Sequence, residues 1–96
     1  MTESYEIRHD PKNQRFAIEL GGANVAVLDY TRPNGTLVLT HTGVPPAFEH
    51  RGVAARLAHA ALEFAKTEGL KVVPRCSFVR AYLQRHPEYS ALVATP

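Results

Sequence analysis

The sequence predicts an α/β fold: a mixed, mostly antiparallel five-stranded sheet carrying a long helix and a short C-terminal helix. Three observations predict it. Apolar and polar residues alternate with period two through the first half of the chain, as in half-solvated strands. After Pro45-Pro46 the apolar spacing lengthens to that of a helix face. Beyond Gly69 the run Leu70-Lys71-Val72-Val73 is short, β-branched and apolar, which returns the chain to strand character.

The elements follow in order. Tyr5, Ile7 and His9 alternate with Glu6 and Arg8, and Pro11-Lys12-Asn13-Gln14 reads as a turn. Phe16, Ile18 and Leu20 alternate with Arg15, Ala17 and Glu19, and Gly21-Gly22-Ala23-Asn24 reverses the chain to complete a hairpin. Val25 to Leu28 and Leu37 to Leu39 are apolar on both faces, which predicts central strands covered on each side, with Arg32-Pro33-Asn34-Gly35 as the turn between them. Val53, Leu57, Ala60, Ala61 and Phe64 form one helical stripe, opposite Arg56, His59, Glu63 and Lys66, and predict a helix over about residues 51 to 68 that ends at Gly69. Strand, helix and strand then form a crossover unit if the flanking strands are parallel. Pro74 stops the last strand, and a second helix is predicted over about residues 77 to 86, ended by Pro87.

At 96 residues and 10.6 kDa the chain is expected to form one domain, residues 1 to 96. A formal charge of +2 gives no footprint for nucleic acid or a membrane surface, so an anionic ligand must be held locally. The one cysteine, Cys76, cannot close an intramolecular disulfide, and no charged leader precedes an apolar run, which together lead us to expect a cytoplasmic setting. No stretch approaches the roughly 20 apolar residues of a membrane span, and no Cys/His spacing suits a metal.

Function must come from small local features. The segment Glu49-His50-Arg51-Gly52-Val53-Ala54-Ala55 joins a strand to the long helix with small residues at the helix start. First-turn amides there lack intrahelical partners and sit at the positive end of the dipole, which suits a phosphate; Gly52 clears the approach and Arg51 can add a charged contact. The same residues also read as an ordinary, closely packed helix start. Cys76 lies at or just before the start of the last helix, where thiolate is favoured, although free cysteine is equally a small buried hydrophobe. His41 ends the fourth strand as Cys76 ends the fifth, so in an open sheet both are expected at one ligand-binding edge. His41 reads either as a base or as a structural histidine, and Tyr82 either as a proton donor or as a core-edge residue. His9, His59 and His86 read as surface residues, and Arg75, Arg80 and Arg85 as solvated.

The run His41-Thr42-Gly43-Val44-Pro45-Pro46, then Arg51-Gly52-Val53-Ala54, Val73-Pro74-Arg75-Cys76-Ser77-Phe78-Val79 and Tyr82-Leu83-Gln84-Arg85-His86-Pro87-Glu88-Tyr89, resembles the small single-domain acetyltransferases of the GNAT superfamily, in a compact group with a cysteine after the fifth strand. The resemblance covers roughly residues 36 to 93. It implies a GNAT-type fold in which a Gln/Arg-x-x-Gly-x-Gly/Ala loop wraps the pyrophosphate of acetyl-coenzyme A. Gly52 and Ala54 match that pattern, while Glu49 departs from the usual Gln or Arg and leaves the binding to backbone N–H groups. Val44 falls where the fourth strand pairs with the pantetheine arm, Cys76 where larger relatives often carry Asn, and Tyr82 near a Tyr that protonates the departing thiolate. The chain lacks room for the helical segment that normally follows the first strand and shapes the acceptor site.

These readings predict an acetyl-coenzyme A-dependent N-acetyltransferase acting on an unknown amine or thiol, without a metal, as a monomer or weak homodimer. Direct transfer would use His41 as base and Tyr82 as acid; a covalent route would pass the acetyl group through Cys76. The alternative from another class is a non-catalytic coenzyme A-binding sensor or protein-interaction module.

Overall fold

Short turns reverse the chain in its first half because they hold residues that accept left-handed backbone: Gly22 at φ 60° in the link after the second strand and Asn34 at φ 45° in the link after the third. The computed structural model describes residues 6–94, so Tyr5, expected to open the first strand, lies outside the described residues. The strands are β1 (Ile7–Asp10), β2 (Arg15–Gly21), β3 (Asn24–Thr31) and β4 (Thr36–Gly43). They are followed by α1 (Val53–Glu68), β5 (Lys71–Pro74) and α2 (Ser77–Arg85). Short 3₁₀ turns occupy Pro46–Phe48 and Pro87–Leu92. The five strands lie in the order β1-β2-β3-β4-β5, antiparallel except for the parallel pair β4-β5 that the α1 crossover joins.

Register decides which face is buried. Phe16, Ile18 and Leu20 of β2, Ala26, Leu28 and Tyr30 of β3, Leu37 and Leu39 of β4 and Val72 of β5 are all buried, and pairings such as Phe16 with Leu28 put them on one face. Val53, Leu57, Ala58, Ala61, Leu62 and Ala65 of α1 pack on that face, with Val79 and Tyr82 of α2 in the same cluster. The buried stripe of α1 is turned slightly from the expected one, so that Ala60 and Phe64 sit at its margin. At its end, Gly69 at φ 70° lets the Leu70 amide reach the Ala65 carbonyl at 2.8 Å and the Gly69 amide reach Lys66.

The expectation that β3 and β4 are covered on both faces is overturned. Val25 is exposed, and Ala17, Val27 and Val38 are only half-buried on the second face, over which no helix lies among the described residues. The cause is connectivity. Only Pro11 to Gln14 join β1 to β2, and both helices that follow β4 pack on the other side. Valine at these positions reflects the preference of β-branched side chains for a pleated surface rather than full burial.

His9 also departs from its expected surface position. Its ring stacks on Phe16 with centroids 4.3 Å apart, meets the edge of Phe64, and its Nε2 lies 2.7 Å from the Tyr30 hydroxyl. Burial, then the nearby Arg32 guanidinium, hold this imidazole below its ordinary pKa. The cluster fastens the edge strand β1 to its neighbours and to α1.

Candidate functional site

Strands β4 and β5 pair only from Thr36–Lys71 to Leu39–Pro74. The amides of Arg75 and Cys76 then both bond the Leu39 carbonyl, each at 3.0 Å, while β4 runs on to Gly43 beside β3 alone. A gap opens between the end of β4 and the start of α2. At the same place β4 carries an extra residue: Asp29 pairs with His41, but the next residue, Tyr30, pairs with Leu39, leaving Thr40 as a β-bulge. The Thr40 hydroxyl donates to the Asp29 carbonyl at 3.1 Å and stabilises the irregularity.

This bulge re-aims everything after it. Thr42 falls opposite Leu28, on the helix-covered face, and His41 opposite Asp29, on the bare face. The expected meeting of His41 and Cys76 therefore does not occur; Thr42 takes that place, with Oγ1 3.0 Å from Sγ. Simple alternation through Leu37 and Leu39 puts His41 on the covered face, and only the extra residue reverses it.

Cys76 is the N-cap residue of α2 and is partly buried. Burial pushes its thiol pKa up, but the Thr42 side chain and the amides of Val79, Phe78 and Thr42 outweigh this, so the net shift is downward. Neither α2 amide closes a full capping bond on the residue, so these amides act through their field while the Thr42 contact is direct.

The chain between β4 and α1 presents the other wall. His50 at φ 66° and Gly52 at φ 79° are both left-handed, and Gly52 caps α1, which starts at Val53 rather than near residue 51. No side chain caps the first turn, and the first backbone bond is Arg56 N–H to the Gly52 carbonyl at 3.1 Å. The amides ahead of Arg56 therefore have no partner within the helix, and the dipole makes this end positive.

A cavity of about 530 Å³ lies between these walls, a size suited to a small-molecule ligand. Of the residues expected to hold a cofactor, Val44, Glu49, His50, Gly52, Val53, Ala54 and Ala55 line it. Arg51 does not; its guanidinium lies 5.5 Å over the Phe48 ring, and Phe48 is itself a wall. Tyr82 lines the cavity, whereas Cys76 and His41 do not. Thr42 stands between the cavity and the sulfur.

Burial, followed by Glu88 and Glu63, raises the Tyr82 pKa, so its hydroxyl keeps its proton and remains a donor. His86 stacks on Tyr82 with centroids 4.1 Å apart, and its Nδ1 lies 3.3 Å from the Glu88 carboxylate. It is half-buried and lines the cavity, contrary to its surface assignment, as do Thr42, Phe48 and Phe78, which sequence reading passed over. The i, i+4 spacing of Tyr82 on α2 and His86, which caps that helix, was the signal for their contact. Among the described residues no group of side chains could hold a metal ion.

Comparison with known proteins agrees with this architecture. Residues 15–92 match the family model described as GCN5-related N-acetyl-transferase. Protein NATD1 of Xenopus tropicalis is 35% identical over 89 residues, covering 90% of this chain and 81% of that protein. Human Protein NATD1 is 37% identical over 83 residues, covering 84% and 74%. An NMR solution structure of a GCN5-like putative N-acetyltransferase from Staphylococcus aureus superposes with a TM-score of 0.75 at 27% identity, covering 95% of this chain and 89% of that one. The sheet with its single parallel pair, the gap beside β4 and the extent of these matches lead to one conclusion: this chain belongs to the GCN5-related N-acetyltransferase family.

Proposed function

We propose that the protein binds acetyl-coenzyme A and transfers the acetyl group to an amine. The observation that carries this reading is the cavity where β4 parts from β5, with the uncapped first turn of α1 as one wall. The amides at Val53, Ala54 and Ala55 would hold the diphosphate, and the left-handed Gly52 lets the chain turn into the helix there. Glu49 would turn its carboxylate outward. The β4 continuation at Val44 would take the pantetheine arm.

Acetyl-coenzyme A supplies a thioester, and transfer replaces its C–S bond with a C–N bond to the amine. Nε2 of His41 takes the proton that the amine loses, and the Tyr82 hydroxyl gives its proton to the departing sulfur. Base and acid stand on opposite faces of the sheet at the gap, so the amine comes from the bare face. Both groups return to their starting states by exchange with solvent.

The deciding experiment is calorimetry with acetyl-coenzyme A, desulfo-coenzyme A and adenosine 3′,5′-bisphosphate on wild type and Gly52→Glu, followed by an assay of coenzyme A release with an amine panel. Binding in wild type, its loss in the variant and release with one amine are expected. Absence of binding in wild type defeats the proposal, and binding without release would instead identify a coenzyme A sensor.

A covalent route gains support from the thiolate-favouring surroundings of Cys76. On that route the thiolate takes the acetyl group and then yields it to the amine. Intact-protein mass spectrometry after one turnover separates the two: an acetylated Cys76 supports the relay, and full activity of Cys76→Ala removes it. A single cysteine, with no second one to pair with in this sequence, fits a reducing compartment, and we propose a cytoplasmic setting.

A further inference from the structure

Phe78, Ala81, Tyr82 and Arg85 recur at i, i+3, i+4 and i+7, which is one face of α2, and all four line the cavity. The stripe is apolar or aromatic until its last turn, where it ends in a guanidinium. His86, the next residue, caps the helix and lines the cavity too. Arg85 is the one lysine or arginine among the lining residues, and the one carboxylate, Glu49, belongs to the opposite wall, ahead of α1.

Arg85 is available to a ligand. Carboxylates take up Arg8, Arg15 and Arg32, and the carbonyls of Pro74 and Arg75 take up Arg80, whereas Arg85 has no such partner among the described residues. His86 is held from two sides. Its ring stacks on Tyr82 with planes 22° apart, and Nδ1 faces the Glu88 carboxylate at 3.3 Å, which leaves Nε2 as the nitrogen open to a ligand. A carboxylate at Nδ1 and an anion at Nε2 together call for the imidazolium, which donates to both.

Charge decides what such a pair would hold. Acetyl-coenzyme A carries a diphosphate and, apart from it, a phosphomonoester on its ribose 3′ oxygen. The first turn of α1 offers amides and about half a unit of positive charge, which suits the diphosphate, but Val53, Ala54 and Ala55 bring no cation of their own. The second phosphate needs full charges. The C-terminal end of α2 presents carbonyls that repel an anion, so only side chains can receive a phosphate there.

We propose that Arg85, with His86 beside it, binds the 3′-phosphate of the coenzyme and so makes the protein select coenzyme A over its 3′-dephospho form. This rests on the reading that the cavity holds acetyl-coenzyme A. The guanidinium donates a pair of N–H bonds to the phosphate oxygens, and the imidazolium adds a further one. The nucleotide then lies across the cavity, with its diphosphate on the α1 wall and its ribose phosphate on the α2 wall.

The test measures Kd by calorimetry for coenzyme A and for 3′-dephospho-coenzyme A on the full chain as wild type, Arg85→Gln, His86→Gln and the double variant. The wild type is expected to favour coenzyme A by about tenfold or more. Arg85→Gln is expected to remove most of that preference while the Kd for the dephospho form stays within about twofold, and His86→Gln to reduce the preference by a smaller factor. A wild type that binds both forms equally, a preference that survives in the double variant, or equal losses for both ligands overturn the assignment. An unchanged preference in His86→Gln removes that residue from it. A wild type that binds neither form defeats the acetyl-coenzyme A reading itself. A second measurement needs no variant: at saturation, the Arg85 Nε–H and His86 ring resonances of the wild type must move further with coenzyme A than with the dephospho form, and equal shifts remove the proposal.

Discussion

The hydroxyl of Thr42 and the sulfur of Cys76 lie 3.0 Å apart and bridge the gap between the end of β4 and the start of α2. A hydroxyl that donates to sulfur stabilises the thiolate more than the thiol. Thr42→Val, nearly equal in volume, should therefore raise the thiol pKa and slow alkylation by iodoacetamide near neutral pH by a few-fold. Superimposable rate profiles in the two proteins would show that the α2 amides alone set the reactivity.

His9 makes a prediction about stability. Its imidazole is held below its ordinary pKa, first by burial and then by Arg32, so the unfolded chain binds this proton more readily than the folded one. Its contribution is complete above the unfolded value of about 6.5 and is lost as pH falls through the folded value. Urea midpoints should decline from pH 7.5 to 5, and the His9→Phe protein should decline less. An equal slope in both would assign the dependence to other groups.

Gly52 separates backbone conformation from side-chain space. A Cβ there meets nothing within 4 Å, yet φ is 79°. Gly52→Ala should cost about 1–2 kcal/mol through the left-handed penalty, whereas Gly52→Asn should recover part of it. If the amides at this turn bind diphosphate, affinity for acetyl-coenzyme A should fall in the alanine variant and return with asparagine. Equal affinity across all three proteins would place the anion elsewhere.

Tyr82→Phe keeps the ring that stacks on His86 and removes only the hydroxyl. If that hydroxyl is the acid, kcat should fall by roughly 10²-fold while the Kd for acetyl-coenzyme A and the thermal midpoint stay near wild type. A change confined to Kd would make Tyr82 a binding wall and nothing more.

The one-sided sheet sets a contrast between two apolar positions. Leu39 is completely buried, and Leu39→Ala should cost about 2–5 kcal/mol. Val25 is 43% exposed on the other face, and Val25→Thr should stay within about 0.5 kcal/mol. Chemical denaturation of both variants measures the difference, and a large loss at Val25 would mean that something covers the second face.

Much of this was legible in residue order. Alternation at Phe16, Ile18 and Leu20 marks a strand with one wet face, and the stripe from Val53 to Phe64 marks α1, because in both cases the pattern reports local geometry. β3 and β4 run longer than their apolar cores because Asp29, Thr31 and Thr42 belong to strands with an open side or a cavity beside them. The bulge left no mark that alternation can read, since it depends on a hydroxyl of β4 meeting a carbonyl of β3. The same is true of His9: its partners Tyr30 and Phe64 stand far along the chain, and only the packing of α1 on the assembled sheet brings them together. The loop around Gly52 was legible as a helix start, while His86 as a cavity wall required the packing of α2.

The extra residue at Thr40 works like a reading frame for side chains. Because successive positions of a strand alternate sides, excising that one residue would invert all that lies downstream in β4, turning the imidazole inward and the threonine hydroxyl out. Serine there would keep the hydroxyl that bonds the Asp29 carbonyl and would be absorbed. Lineages descended from such an ancestor should therefore keep a hydroxyl residue at this site and accept almost no change in the count of residues between Leu39 and Gly43.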